Sequence, residues 1–571
     1  MISNLIMVNK KSQIMESIMN NKNILMNTVR VISLCTSVFF ISTYSLSAQV
    51  DKDLPSGKVE VISSYEAKLV EAEKLTLSGE LGSDSSTEKN YQYQISTLNR
   101  DKKPPVKYEA PEIRPLGLPS EKLPIPYNGY AKLGVSYPLG LYGEGGYTVT
   151  NSDSYFLDIS GKHQSVLNSP RVDQKFSETG LKGTGTAYLK NGLAINGLAA
   201  IDLNNYRFYG GYEEIDTSFA SEFSKRNFRN LQAGVKLFNG HKNKMDLDYW
   251  VGGNIYNYAD NFQTRENNLA LDLGVTKWIS GKHSATLQIT NSLLNYKDTV
   301  SNSLNNLNLK PAFTFHGDAF KFKAGANLVS SAEGFNFFPD IEATINIAGP
   351  ALLLFAGAGG DMYQQSFKRI TTENPFITLH YQDPFNTKYY DFYGGVAGGL
   401  RNVSYRLKAG YKPTKNYPIY IQQKEDLRQF NVYTDDVNIF YFGGELSTKV
   451  LDKLQLNLNA LGQIAEARFY SKVFGLVPFS MGLNATYLAL DDKLRLKGDL
   501  NFSAGSYYRN RFDSEGQLKP LFDVSVGADY FFSPKFGAFA NLNNLAAVKY
   551  QRWYKYPTYG INVVGGIVLR F

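Results

Sequence analysis

The chain has 571 residues, of which 43% are hydrophobic, yet its mean hydropathy is -0.28, so apolar residues are dispersed among polar ones. A single cysteine excludes an internal disulfide, and the formal charge of +8 comes from interleaved acidic and basic residues, which argues against a nucleic-acid partner. The 39 tyrosines and 49 glycines, against 3 tryptophans, are typical of strands joined by tight turns.

Residues 1–48 are predicted to be a secretory signal peptide. Arg30 precedes an apolar run at 31–41, and small residues then offer a cleavage position near Ala48. Cys35 lies inside this run, but the large residue before it and the apolar residues after it argue against lipid attachment. We therefore expect an exported protein.

Residues 49–127 differ in composition from the rest of the chain. A charged amphipathic stretch is followed by polar residues and then by repeated prolines, which favour an extended backbone. Nothing in this segment could bury a core of its own, so we expect a partly disordered segment that lies in the periplasm or threads a lumen. A short apolar run within it is a candidate docking site for a periplasmic or outer-membrane protein, with an ordinary edge strand or tail as the alternative. Its residues are Val59, Val61, Ile62 and Tyr65.

A strand-like alternation begins near Tyr130 and continues to the end of the chain. Leu269, Leu271 and Leu273 alternate with polar or small residues such as Asp272, and the same pattern recurs in many segments. The polar faces are so numerous that they need water, while the opposite faces are apolar. Because every backbone polar group inside a bilayer must be paired, the pattern predicts an all-β fold, a large transmembrane antiparallel β-barrel over 128–571.

Short turns rich in Asn, Gly and Asp divide this region. Ten of them are expected on the periplasmic side, and with both barrel ends on that side they imply eleven hairpins and hence 22 strands. The ten turns lie at or beside Ser152, Gly192, Gly240, Gly281, Gly317, Gly349, Asn402, Asp452, Asp492 and Pro534. Longer connections are expected to face the outside, at 164–176, 207–226, 364–390, 413–436 and 507–516.

Aromatic residues flank the longer connections. Tyrosine and tryptophan prefer the level of the lipid headgroups, so we interpret these residues as an interface belt. The alternative is that some of them line a sugar or ligand site at the outer mouth. The residues assigned to the belt are Tyr206, Tyr256, Tyr258, Tyr507, Tyr508, Trp553 and Tyr556.

The last strand is apolar on one face up to the final residue. Ile567, Leu569 and Phe571 share that face at a period of two. A strand of this kind that ends on phenylalanine resembles the closing strand of outer-membrane barrels, in which the terminal residue is also a signal for assembly.

The end of the chain also resembles a named family. Asn544-Leu545 and Tyr556-Pro557, followed by the final strand, are similar to the last two strands of TonB-dependent receptor barrels. The resemblance implies a place in the outer membrane of a Gram-negative cell, solute passage or uptake, and insertion by the β-barrel assembly machinery. Outer-membrane lipid and lipopolysaccharide would surround it. Receptors of this family carry a long plug domain, for which 49–127 is too short, so the chain looks like a plugless member of the Bacteroidetes type.

The sequence offers no pattern for catalytic or cofactor chemistry. Five histidines are scattered, and there is no Ser-His-Asp grouping, no histidine pair at metal spacing and no phosphate-binding glycine loop. We therefore expect no enzyme activity, no cofactor and no metal site.

Two functions remain open from the sequence. The first is solute passage or uptake across the outer membrane without a full plug domain. The alternative is a non-conducting structural subunit of an outer-membrane complex for assembly, secretion or surface export.

Overall fold

The computed structural model describes residues 127–571 apart from 152–153, 172, 211–223, 242, 382 and 452. The predicted signal peptide and its cleavage position near Ala48 lie outside the described residues, and so does nearly all of the 49–127 segment. The candidate docking residues lie outside them as well, namely Val59, Val61, Ile62 and Tyr65. Within the described residues, no helix combines the length and hydropathy that a membrane span requires.

Antiparallel strands form one closed sheet of 22, in which each strand pairs with its neighbours in chain order. The predicted all-β barrel and its strand number are therefore confirmed. Its strands are β1 (Gly129–Tyr137), β2 (Gly140–Asn151), β3 (Tyr155–Val166), β4 (Phe176–Tyr188), β5 (Leu193–Arg207), β6 (Lys225–Asn239), β7 (Leu247–Asp260), β8 (Arg265–Ile279), β9 (His283–Lys297), β10 (Ser301–His316), β11 (Phe320–Ser331), β12 (Gly334–Asn346), β13 (Leu353–Gln365), β14 (Phe385–Leu400), β15 (Val403–Gln422), β16 (Phe430–Leu451), β17 (Leu454–Ala467), β18 (Phe479–Ala489), β19 (Leu494–Ser503), β22 (Leu521–Phe531), β23 (Phe536–Asn543) and β26 (Asn562–Arg570).

The connections between barrel strands contain further short elements. Two of them are hairpins and one is a helix of two turns. They are α1 (Phe367–Glu373), the pair β20 (Tyr507–Arg509) and β21 (Glu515–Gln517), and the pair β24 (Gln551–Trp553) and β25 (Tyr556–Pro557).

The first and last strands close the barrel. β1 and β26 run antiparallel through eight residue pairs, from Tyr130 opposite Arg570 onward. Beyond that ladder, the Gly129 amide donates to the Phe571 carbonyl at 2.8 Å, and the Phe571 amide donates back at 3.0 Å. Because all strand edges are paired in this way, the sheet leaves no open edge.

The two ends of the barrel differ in their connections. All ten predicted short turns join strands at one end, which also holds Gly129 and Phe571 and which we call the short-turn end. The opposite end, the long-loop end, carries the other eleven connections. The longest of these are 208–224, 366–384, 504–520 and 544–561.

One predicted loop is wrong. The sequence predicts a long connection over 413–436, but β15 and β16 extend so far that only 423–429 lies between them. A register shift between Thr414 and Tyr417 interrupts their ladder and then lets it continue. A β-bulge of this kind absorbs irregular residues without ending the strand, so the polar residues around Asn416 do not form a loop.

Side chains alternate between an apolar outer face and a polar inner face. Leu269, Leu271 and Leu273 are exposed on the outer face of β8. Between them Asp272 faces inward, where its carboxylate accepts hydrogen bonds from Trp250 Nε1 at 2.6 Å and Gln288 Nε2 at 3.0 Å. The predicted alternation is thus confirmed in this part of the barrel, and it gives the lumen polar walls.

Candidate functional site

The connection 366–384, which we call the helix loop, folds inward across the long-loop end. Its helix α1 begins at Ser366, whose Oγ accepts a hydrogen bond from the Arg369 amide at 3.1 Å. Glu266, on the inner face of β8, accepts hydrogen bonds from the amides of Phe367 at 2.6 Å and Lys368 at 3.3 Å. A carboxylate at a helix N-terminus accepts hydrogen bonds from amides that have no partner within the helix, and its negative charge interacts favourably with the positive end of the helix dipole. Glu266 therefore fixes where α1 starts.

A second charged residue fixes the far side of the helix loop. Arg226, on the inner face of β6, is 1% exposed and forms an ion pair with Asp260 at 3.3 Å between Nη2 and Oδ2. Its Nη1 donates to the carbonyls of Ile377 and Pro375. A buried guanidinium needs such partners, because an unpaired buried charge is costly. Arg226 therefore anchors the loop to the barrel wall.

Between these two anchors lies an aromatic core inside the barrel. Phe367 of α1 packs on Phe228, Tyr258 and Tyr296 of three different strands, with ring centroids 5.6–6.2 Å apart. We call the whole buried set the mouth cluster. It consists of Phe228, Tyr258, Leu294, Tyr296, Leu304, Phe367, Ile370, Ile377, Tyr381, Tyr420, Phe430, Trp553 and Tyr556.

The connection 544–561, which we call the hairpin loop, completes the mouth cluster from the other side. Tyr556 stacks on Phe376 of the helix loop with ring centroids 3.7 Å apart, and Trp553 packs on Tyr420 at 4.9 Å. The Pro557 carbonyl accepts hydrogen bonds from Gln174 Nε2 at 2.8 Å and from the Tyr209 hydroxyl at 3.0 Å. The two loops thus contact each other over the lumen at the long-loop end.

Several tyrosine hydroxyls serve as neutral donors in this layer. The Tyr381 hydroxyl donates to the Gln365 carbonyl, and the Tyr556 hydroxyl donates to the Arg428 carbonyl. Burial raises the pKa of both hydroxyls well above its usual value. Both therefore stay protonated at neutral pH and keep their hydrogen bonds.

Five of the seven residues assigned to the interface belt lie at the mouth cluster. Tyr258, Trp553 and Tyr556 belong to the mouth cluster, and Tyr206 and Tyr256 pack against it. They face inward because they occupy the same strand face as the polar lumen residues, or a loop that folds into the barrel. Periodicity could not decide this, since a tyrosine suits both a lipid interface and a packed mouth.

The other two belt residues lie in the connection 504–520. Tyr507 pairs with Gln517 in the small hairpin, and Lys472 Nζ lies 5.1 Å from its ring centroid. Tyr508 stacks on Tyr554 of the hairpin loop with centroids 4.1 Å apart. Both rings therefore take part in packing between connections at the long-loop end.

The closing-strand residues lie where the alternation places them. Ile567, Leu569 and Phe571 are exposed on the outer side of the seam between β26 and β1. The Phe571 ring also stacks on Tyr147 with centroids 5.7 Å apart. Their role as an assembly signal stays a prediction.

Below the mouth cluster the lumen wall carries ion pairs between different strands. Lys310 lies 2.9 Å from Asp361, and Lys408 lies 3.0 Å from Asp391. These side chains are partly exposed, so water in the lumen solvates them. Among the described residues, no group of three or more His, Cys, Asp or Glu side chains is arranged to hold a metal ion.

The anchors Arg226, Asp260 and Glu266 were missed in the sequence analysis. The only indication of them in the sequence is that each occupies an inward position of an alternating strand, a property that they share with many solvated lumen residues. What distinguishes Arg226 and Glu266 is contact with a loop more than a hundred residues away in the chain, and Asp260 acts through its ion pair with Arg226. Such contacts are fixed by the tertiary fold.

Comparison with known proteins identifies solved structures that have a similar fold. No protein-family model matches the sequence, and no curated protein matches it. Solved outer-membrane receptors and a transporter share the architecture. The pyoverdine receptor FpvA of Pseudomonas aeruginosa PAO1 has a TM-score of 0.59 at 12% identity, covering 78% of each chain. The FrpB iron transporter of Neisseria meningitidis has a TM-score of 0.60 at 9% identity, covering 79% of this chain and 82% of that one.

A third structure, the ferric enterobactin receptor PfeA of Pseudomonas aeruginosa, has a TM-score of 0.57 at 10% identity over 78% of this chain and 81% of its own. At such low identity the likeness shows a shared fold. The class that this fold defines is the large closed β-barrel, and the chain shares this architecture with those outer-membrane proteins.

Proposed function

We propose that this protein is an outer-membrane β-barrel for solute passage or uptake, similar to TonB-dependent receptors but closed at its long-loop end by its own loops. One observation carries the proposal, namely a polar lumen of 22 strands beneath a mouth cluster to which two connections contribute buried side chains. A barrel with polar walls suits passage of hydrophilic solutes, and a loop layer can open without unfolding the barrel.

The mouth cluster also supports passage without a full plug domain, because it supplies a closure from within the barrel itself. On this proposal the protein is not an enzyme. Residues 1–48 direct export, lipid and lipopolysaccharide surround the apolar outer face, and the assembly machinery reads the strand that ends at Phe571. FpvA is a pyoverdine receptor and FrpB an iron transporter. Because this chain shares only their fold, the solutes of these two proteins are not assigned to it.

Planar-bilayer conductance of the purified full-length protein tests the proposal. The double variant Phe376→Ala/Tyr556→Ala removes the ring pair that joins the two loops, and we expect it to raise conductance well above that of the wild type. The control is Phe469→Ala/Phe512→Ala, which removes two rings that are 77% and 72% exposed and lie outside the mouth cluster. This control should conduct like the wild type.

The alternative function is a non-conducting subunit of an outer-membrane complex, which the tight packing of the mouth cluster favours. In that case neither double variant conducts, and both co-purify with the same protein partners as the wild type. Absence of conductance in the Phe376→Ala/Tyr556→Ala variant, with the barrel intact, would therefore support the non-conducting subunit.

A further inference from the structure

The lumen wall at the short-turn end contains a recess of about 530 Å³ far from the mouth cluster. Strands β1, β19, β22 and β26 contribute the charged residues on one side of it. Lys132, Arg495 and Arg570 line this side, and all of them face the lumen. These three cations thus lie together on one side of the recess, at the end of the lumen opposite the mouth cluster.

Three carboxylates, those of Glu144, Asp158 and Asp529, also line the recess, but none of them forms an ion pair with an arginine in the described part of the chain. Asp529 Oδ2 accepts hydrogen bonds from both Lys132 Nζ at 3.2 Å and Lys497 Nζ at 2.7 Å, so one carboxylate serves two ammonium groups. Among the described residues, neither Arg495 nor Arg570 has a carboxylate within the 4.0 Å of an ion pair. Two guanidinium groups are therefore free to bind an anion from the lumen.

The other acidic residues of the recess already have hydroxyl partners. Glu144 accepts hydrogen bonds from Tyr130 at 2.7 Å and Tyr142 at 2.5 Å, and Asp158 accepts one from Thr148 at 3.0 Å. These contacts keep both carboxylates on the wall of β1 to β3. They contribute negative charge beside the recess without pairing with the two guanidinium groups.

Packing orients one of these guanidinium groups. Arg570 lies over the ring of Phe531 at 3.5 Å from the centroid, and Phe531 is 5% exposed. A guanidinium that stacks on a buried ring keeps its planar fork of donors available at the edge. Such a fork matches the two oxygens of a carboxylate or phosphate.

An acceptor in the recess lacks a partner. Asp529 is 2% exposed, and its Oδ1 has no hydrogen-bond donor among the described residues. A buried carboxylate oxygen normally accepts at least one hydrogen bond. Because Oδ1 is shut off from solvent, a solute in the recess would meet the two arginines and not this oxygen.

We propose that this recess is a binding site for an anionic solute, whose carboxylate or phosphate contacts Arg495 and Arg570. The inference rests on the proposed passage of solutes and assigns their chemical class. It places a binding site for the solute at the short-turn end of the lumen.

Isothermal titration of glucuronate into the detergent-solubilised full-length protein tests the site, with neutral glucose as the uncharged counterpart. Glucuronate should bind and glucose should not, and added NaCl should weaken binding because it screens the charges. Arg495→Gln and Arg570→Gln should each lower the affinity by about tenfold or more, the effect of losing one charge-assisted hydrogen bond.

Arg406→Gln is the matched control. Arg406 is another lumen arginine stacked on a phenylalanine, with its guanidinium carbon 4.4 Å from the Phe355 ring centroid on a different part of the wall. This variant should bind glucuronate like the wild type. Because Arg570 lies in the closing strand, a heat-modifiability gel verifies that its variant is folded, and Arg495→Gln tests the same site away from the seam.

Equal behaviour of glucuronate and glucose, or an affinity that neither Arg495→Gln nor Arg570→Gln lowers, would overturn the site. The titration does not depend on conduction. A barrel that binds glucuronate but never conducts would contradict only the proposed passage, whereas a conducting barrel without this binding would contradict only the recess.

Discussion

At the scale of single residues, Arg226 and Glu266 hold the helix loop by charge. Each lies on a barrel strand and contacts backbone groups of 366–384, so each joins a rigid wall to a connection that could otherwise move. Both are buried, which makes their contacts strong and their loss costly. The closure of the mouth thus depends on a few positions.

Arg226→Ala should release the helix loop. It leaves Asp260 buried without its cation and the Ile377 carbonyl without its donor, a loss on the order of 3–5 kcal/mol for a broken buried pair. Hydrogen exchange should show faster exchange of the Ile370 and Asn374 amides in α1. Arg229→Ala on the exposed face of the same strand is the control and should leave both amides protected. Unchanged protection in Arg226→Ala would refute the anchor.

At the scale of elements, the two inward loops behave as one layer because their rings interlock. α1 has two turns and could not be stable alone in water, so its stability comes from packing in the mouth cluster. The short connection 423–429 joins the same layer through the Arg428 carbonyl. Loosening one connection should therefore loosen the others.

The stacked pair Phe376 and Tyr556 should show energetic coupling. A double-mutant cycle to alanine, read from exchange of the Ile370 amide, should give a coupling of roughly 0.5–1.5 kcal/mol, the usual range for aromatic pairs. The comparison cycle pairs Phe376 with Tyr554, whose ring stacks on Tyr508 instead. That cycle should be additive, and equal coupling in both cycles would contradict a direct contact between the loops.

Acid should loosen the connection 423–429. Burial opposes ionisation of Asp426, but hydrogen bonds from the Arg428 side chain and amide, together with the one from Gln429, lower the pKa of this carboxyl below its usual value. A lowered folded pKa stabilises the connection above the unfolded pKa, which is about 4. That stability is lost as pH falls through the folded value.

Hydrogen exchange of the Gln429 amide as a function of pH measures this effect, because that amide donates to the Asp426 carbonyl within the turn. Relative to the intrinsic exchange rate, protection should fall in acid in the wild type and be low at every pH in Asp426→Asn. Glu425→Gln, at the exposed neighbour, should keep the wild-type profile. If Asp426→Asn kept the wild-type dependence of protection on pH, the loss of protection in acid would be due to another group.

At the scale of the whole molecule, the barrel depends on a seam between its first and last strands. Gly566 lies opposite Gly134 there, and a methyl group on Gly566 would come 1.9 Å from the Leu133 carbonyl oxygen. Backbone atoms cannot move aside as a flexible side chain could. One methyl group added at this position of the seam is therefore expected to hinder closure of the whole barrel.

Gly566→Ala should reduce the fraction of barrel that closes. On gels run without boiling, this variant should lose the compact, heat-modifiable form that folded barrels give. Gly565→Ala is the matched control, because its methyl group would meet only the Phe539 carbonyl oxygen at an ordinary 3.6 Å. Equal amounts of compact protein in the two variants would contradict the tight seam.

The sequence by itself determined the barrel. Alternation such as that of Leu269 to Leu273 is a local property of each strand, short turns are encoded in a few residues, and together they gave the strand number. It did not predict how far β15 and β16 extend, since bulges tolerate polar residues.

Only the tertiary structure decided how the barrel is closed and where charge collects in its lumen. Tyr258 and Tyr556 suit a lipid interface as well as a packed mouth, and the choice depends on loops that return from distant strands. Lys132 joins Arg495 and Arg570 at one recess because closure of the barrel places β1 beside β26. Strand periodicity acts between near neighbours in the chain, whereas these contacts join residues that only the closed barrel brings together.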